Sequence, residues 1–218
     1  MNIQDIYTQY RLMPSLQLHQ RRVAGVAQVI CQHIDIDVDM SHILLACLLH
    51  DMGNIIKFDL DLFPEFLQPE GLDYWKKVQQ DYIEKYGTDE HVATMSIVKG
   101  IIPQLRDNPY ARKRVLDLVD AISFSNAKKN YESPDFARKI VAYADMRVTP
   151  QGVASMKERL VDGRARFKLN KSHQSDDTRF FEKIVGYLEK IEAQIFEHCD
   201  IKPSDIMEER VQRVIRNF

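Results

Sequence analysis

Four side chains in this sequence carry donor chemistry suited to a transition metal: His19, His50, Asp51 and Asp145. Imidazole and carboxylate together favour intermediate divalent ions such as manganese, iron, cobalt, nickel or zinc. His50 and Asp51 are adjacent, at the end of the strongly apolar run ILLACLL. An ionised carboxylate in such surroundings is costly unless a positive charge compensates it, and a cation would do so. Asp145 raises the same question, because it follows KIVAYA, a stretch apolar enough for an interior helix. Arg147 or Arg22 offers it an ordinary internal ion pair, so its partner is open at this level. His19 interrupts a largely apolar helical face, where a hydrogen-bonded core histidine is the plainer reading. Cys47 stands one helical turn before His50; a thiolate ligand is conceivable there, but simple packing is the default for a buried cysteine.

The elements that must position these groups read as helices. Leu16, Val23, Val26, Ala27 and Ile30 share one face of a helix over 15–34, with Pro14-Ser15 as its start. Asp39 or Ser41 caps a second helix, apolar almost all round, which Gly53 is expected to end. Further helices are expected over 72–86, 90–102, 111–124, 135–147, 153–167, 178–198 and 204–216. Breaks fall near Pro64, 69–71, Pro103, Pro109, Pro134 and Pro150. No alternation is long enough for a strand, so the fold class is all-α. Residues 1–170 are expected to form the metal-binding helical domain. The polar stretch 171–177 would link it to a C-terminal helical extension, 171–218, packed on it.

Composition narrows the function. The 218 residues are 44% hydrophobic and 28% charged with a formal net charge of -2, so no global positive field points to nucleic acid or an anionic membrane. The basic clusters at 112–114 and 164–168 read as solvated helix faces. The opening MNIQDIYTQY lacks a secretory pattern. No apolar run approaches the roughly 18–20 residues of a membrane span. Three widely spaced cysteines give neither a disulfide framework nor a zinc motif, and a cytoplasmic location is expected. His33, His42, His173 and His198 match no ligand spacing, and Trp75 with Tyr74, Tyr82 and Tyr86 reads as core. Val211, Val214, Ile215 and Phe218 could pack on the main body or on a partner, which leaves a homodimer open.

The order of the four donors gives them meaning. The chain resembles the HD superfamily of metal-dependent phosphohydrolases, whose pattern is a His on one helix, a His-Asp pair on the next and a distant Asp. LHQRRVAGVA is similar to the first motif, LLACLLHDMGNI to the second and IVAYADMRV to the last. The resemblance covers roughly residues 15–150 and implies a bundle of about five core helices around a metal. Position by position it makes His19, His50, Asp51 and Asp145 the ligands. His91 resembles an extra histidine that some members use for a second metal or for the substrate phosphate. Two departures stand out: Asn54 occupies a position that is often Lys, and Ser125 or Asn126 lies where dinuclear members commonly place another His. One divalent metal is therefore favoured over two.

The resemblance implies a phosphohydrolase acting on a small phosphorylated metabolite, with a nucleotide as first candidate, through metal-activated water. Asp51 and His91 are the expected catalytic groups, and Lys57 and Arg147 the expected phosphate contacts, with Arg22, Lys128 and Lys129 as further basic candidates. The competing expectation is a regulatory domain that keeps the metal and binds a nucleotide or phosphorylated signal without turning it over.

Overall fold

The computed structural model describes residues 2–62, 64–105, 108–169 and 178–216. Among these, the helices in chain order are α1 (Ile3–Gln9), α2 (Pro14–Cys31), α3 (Met40–Leu49), α4 (Leu72–Tyr86), α5 (Glu90–Leu105), α6 (Pro109–Ile122), α7 (Ala127–Glu132) and α8 (Phe136–Asp145). A two-stranded hairpin follows, β1 (Val148–Thr149) and β2 (Gly152–Val153), with Val148 opposite Val153. Then come α9 (Met156–Leu169), α10 (Thr178–Glu197) and α11 (Glu208–Ile215). Short 3-10 turns occupy 54–57, 64–67, 124–126 and 203–205.

Helix α3 is the hub, packed against α2, α6 and α8. Its composition requires this: Ile43, Ala46, Cys47 and Leu49 are fully buried, and a helix apolar on most sides must be surrounded. Asp39 caps it by accepting from the backbone N–H groups of Ser41 and His42, which satisfies two of the four unpaired donors at a helix start. At its other end the Tyr7 hydroxyl of α1 donates to the carbonyl of Leu48, 2.8 Å away. Both ends of α3 are thus held, and the His50-Asp51 pair follows directly.

Helix α8 is anchored in the same way. Asp135 caps its first turn and takes two hydrogen bonds from the Arg114 guanidinium of α6. Lys139 is buried, and its ammonium donates to the carbonyls of Asn130 and Tyr131 and to Gln194 Oε1 of α10, so one cation ties α7, α8 and α10 together. Asp145 is the last residue of this braced helix.

The terminal helices pack on this body. Ile184, Leu188, Ile191 and Ile195 of α10 are buried with the rest of the core. Helix α11 crosses α2 at Gly25, where an added Cβ would stand 2.6 Å from Ile215 Cγ2 and 2.7 Å from Val211 Cγ1. The apolar face of the tail is therefore spent against α2. Phe218 and the polar stretch 171–177, with His173, lie outside the described residues.

Several expectations change. Helices α1 and α7 and the hairpin were not anticipated; elements of two to seven residues carry too little periodicity to be read. Pro103 lies inside the last turn of α5 instead of ending the helix, and the segment 204–216 is helical only from Glu208. Gly53 does not end α3 as a left-handed cap: the helix stops at Leu49, and Gly53 has φ -98°. It is needed for space. A Cβ there would lie 2.7 Å from both the Glu90 carbonyl oxygen and the Thr94 amide nitrogen. The Gly53 N–H donates to Thr94 Oγ1 at 2.9 Å, which docks the turn after Asp51 onto α5.

Candidate metal centre and active site

Helices α2, α3 and α8 bring His19, His50 and Asp145 together, with Asp51 beside both histidines. His19 Nε2 lies 3.1 Å from Asp145 Oδ1 and 3.6 Å from Asp51 Oδ2. His50 Nε2 lies 3.5 Å from each of the same two oxygens. The ligand atoms of His19, His50 and Asp145 all fall within 4.8 Å of one another, and Asp51 meets both histidines. Two donors about 2.1 Å from a shared ion, at the angles of tetrahedral or octahedral coordination, stand roughly 3.0–3.4 Å apart. The observed separations have that scale.

His50 is the most informative residue. Its Nδ1 is 2.8 Å from the Cys47 carbonyl, an acceptor, so Nδ1 donates there and, in the neutral ring that binds a metal, Nε2 presents its lone pair to the cluster. That Nε2 is buried and has no hydrogen-bond partner. A buried polar atom left unpaired costs free energy, and here it faces two carboxylates at a distance suited to a shared cation. The donor set fits a divalent transition ion. On the other side, Asn54 Nδ2 donates to Asp51 Oδ2 at 2.8 Å and fixes that carboxylate.

The electrostatics show how much negative charge converges. Burial would depress the His50 pKa, but Asp51 and Asp145 outweigh it and push it up to about 9. Burial would likewise raise Asp145, yet contact with His19 and His50 holds it well below the usual carboxylate range. The Cys47 thiol is fully buried and raised well above its ordinary value by desolvation. It packs as a neutral group, and only its backbone carbonyl serves the site.

Two cavities flank the cluster. The larger, about 490 Å³, has His19 and a mixed wall that includes Leu18, Phe58, Phe66 and Pro150. The smaller, about 350 Å³, is more polar and includes His50, His91, Thr94 and Ser123. Asp51, Lys57, Asp145 and Arg159 line both.

The family comparison agrees with this arrangement: the HD domain model matches residues 17–146, more than half of the chain. The chain belongs to the HD-domain family. HD domains are helical, most are metal-dependent hydrolases, and the family binds divalent metals through His and Asp side chains of the kind found together here. Comparison with curated proteins and with solved structures finds no match. The HD match begins in α2 and stops one residue after α8, so the hairpin and helices α9 to α11 lie beyond it.

The remaining candidates divide. His91 lies on the wall of the polar cavity, with Nε2 3.3 Å from Asp120 Oδ1. Lys57 reaches both cavities but is paired with Glu90 at 3.1 Å. Arg147 must be withdrawn as a phosphate contact. It is 3% exposed, and its guanidinium donates to the carbonyls of Ala154, Pro203 and Ile206 and to the Tyr143 hydroxyl. It is a structural clasp between the hairpin and the C-terminal segment, and it lines neither cavity. Nor does it pair with Asp145. Arg22 lines the larger cavity but is taken by Glu208 at 2.9 Å. Lys128 and Lys129 pair with Glu132 and Asp120 on the surface. Asn126 Nδ2 donates to the Asp120 carbonyl, so it braces its own turn. Trp75 is buried, with Nε1 donating to the Leu67 carbonyl, as core. Sequence reasoning missed Asn54 as the group that fixes Asp51, and it missed Arg159, one of several arginines in a helix with no apparent motif.

Proposed function

We propose that this HD-domain protein holds one divalent transition metal through His19, His50, Asp51 and Asp145 and hydrolyses a phosphate ester of a small metabolite. The observation that carries the reading is the orphaned, buried His50 Nε2 aimed at two carboxylates. An ion held there supplies Lewis acidity, including a water acidic enough to ionise at roughly pH 7–9.

The protein's own groups do the rest. The Cys47 carbonyl fixes the His50 tautomer, and Asn54 fixes the Asp51 rotamer, so neither donor must reorganise on binding. His91, backed by Asp120, is placed in the polar cavity to give a proton to the leaving oxygen. The larger cavity has the size of a small-molecule site, and Phe58 and Phe66, edge to face at 6.5 Å, offer an apolar wall to a flat ring. A nucleotide is therefore the first substrate to try.

The test is metal analysis of protein purified without chelator, followed by a screen of nucleotides and other phosphate esters with added manganese, iron, cobalt, nickel and zinc. About one bound metal per chain and release of phosphate are expected. Protein that takes up none of these metals, or that takes one up but hydrolyses no ester, overturns the corresponding half of the proposal.

A further inference from the structure

The negative charge at the cluster poses a problem for any anionic ligand. Asp51, Asp145, Glu65 and Glu90 all line one or both cavities. A phosphate approaching them needs cationic partners besides a metal. Three arginine or lysine side chains line the cavities: Arg22, Lys57 and Arg159. The first two are committed, Arg22 to Glu208 at 2.9 Å and Lys57 to Glu90 at 3.1 Å. Arg159 differs. Among the described residues no carboxylate lies within ion-pair distance of it, and its Nε is buried without a hydrogen-bond partner. A guanidinium without a carboxylate partner on a cavity wall can offer its Nη N–H groups to an anion, the fork by which arginine recognises phosphate.

Its position is as telling as its lack of a partner. Arg159 sits on the wall common to both cavities, together with Asp51 and Asp145. It comes from α9, beyond the residues that the HD model matches. Gly163, one turn further along α9, also lines the polar cavity, and a Cβ there would stand 2.9 Å from Arg159 Nη1. The glycine makes room for the guanidinium to lie back along its own helix. That is a sequence device for aiming one side chain, and it is bought against helix propensity, since glycine in a helix interior is less favourable than alanine by about 1 kcal/mol.

We infer that Arg159 is the phosphate-binding residue of this site: its guanidinium takes the phosphoryl oxygens of the ligand at the wall shared by the two cavities, and Gly163 sets its aim. The inference rests on the metal-site reading for the place of the phosphate, but not on turnover.

The experiment uses the full chain loaded with metal, inorganic phosphate as the binding probe by calorimetry, and p-nitrophenyl phosphate as the reporter of hydrolysis. Arg159→Gln should weaken phosphate binding roughly 10- to 100-fold, the factor that a charged hydrogen bond supplies. Metal content should not change. KM should rise more than kcat falls, and Arg159→Lys should recover part of the loss. Gly163→Ala is the control against misfolding: it should hold or raise stability while weakening phosphate binding severalfold, because the new methyl displaces the guanidinium. Arg159→Gln binding phosphate as tightly as wild type while the ester is still hydrolysed would overturn the inference and leave the hydrolase intact. Phosphate binding that depends on Arg159 with no ester turned over would support the inference and remove the hydrolase. Metal-loaded wild type that binds no phosphate would also overturn it.

Discussion

Two His and two Asp meet at two separate places in this molecule, and only one of them has the makings of a metal site. Where the end of α2 meets the end of α10, His33 Nδ1 pairs with Asp200 at 2.6 Å and His198 Nδ1 with Asp35 at 3.0 Å. The backbone reinforces both pairs: Asp35 N–H donates to the His198 carbonyl, Asp200 N–H to the His33 carbonyl, and Ile34 bridges Cys199. The second nitrogen of His33 is used as well, by Arg210. Each histidine has its own acid, and the two acids are about three-quarters exposed. At the α2–α3–α8 cluster the same residue types converge instead of pairing, both histidine Nε2 atoms face the same two oxygens, and His50 Nε2 has no bond at all. Residue type is common to both places; burial and an unsatisfied donor atom belong to one.

The comparison predicts its largest contrast for ligand removal. His50→Ala or Asp145→Asn should lose the metal and reduce phosphate-ester hydrolysis roughly a thousandfold or more, the scale of losing both a Lewis acid and its acidified water. The helical circular-dichroism signal should persist. The double variant His33→Ala with His198→Ala should keep metal stoichiometry and turnover. Metal analysis of the three proteins decides it, and loss of metal in the surface double variant would end the distinction.

A smaller effect is expected one step away from the ligands. Asn54→Ala removes the hydrogen bond that orients Asp51 without touching a donor atom. Groups that orient ligands typically contribute 10- to 100-fold in metal affinity, so a loss of about that size is expected in a competition titration with a chelator. Affinity equal to wild type would show that Asp51 is positioned by the backbone alone.

Much of the scaffold was legible because its signals are local. Asp39 and Asp135 cap the helices they announce. Helix α4 runs over the expected span because Gly71 and Gly87, at φ 85° and 87°, occupy conformations that other residues avoid at both of its ends. The four donors were legible through their order along the chain. What could not be read depends on distant partners. Gly53 looks like a helix stop, but it is required by α5 pressing on the following turn. Arg147, beside Asp145, looks like a site cation, yet its three guanidinium nitrogens meet the carbonyls of Ala154, Pro203 and Ile206 from later in the chain and the Tyr143 hydroxyl one turn back. Arg159 has no motif, and only the cavities reveal it.

The support beneath the cluster should show its own dependence on pH, read as the difference between wild type and a variant so that the shifts of His50 and Asp145 cancel. Arg114 holds the Asp135 carboxyl below its ordinary value of 3.8, with partial burial opposing. A carboxyl whose folded pKa lies below its unfolded one contributes stability above the unfolded value and loses it as pH falls through the folded value. Asp135→Asn should therefore cost on the order of 1 kcal/mol at pH 7, since the pair is still about a quarter exposed and partly screened. The gap between wild type and variant should shrink only below about pH 4. Chemical denaturation at pH 7 and pH 3 measures it, and a gap unchanged at pH 3 would show that ionisation of the Asp135 carboxyl does not carry the effect.

The smallest effect belongs to the surface pairs themselves. His33→Ala with His198→Ala should lower stability by about 0–1 kcal/mol in chemical denaturation, the range for exposed ion pairs. The reason is that the backbone exchange between 33–35 and 198–200 survives both substitutions, so the strands of chain stay joined when the side chains are gone. A loss several times larger would mean that the imidazoles, and not the backbone bridge, hold α10 to α2. The contrast between the two His-Asp groups would then be one of burial alone, because both would be essential to the fold around them.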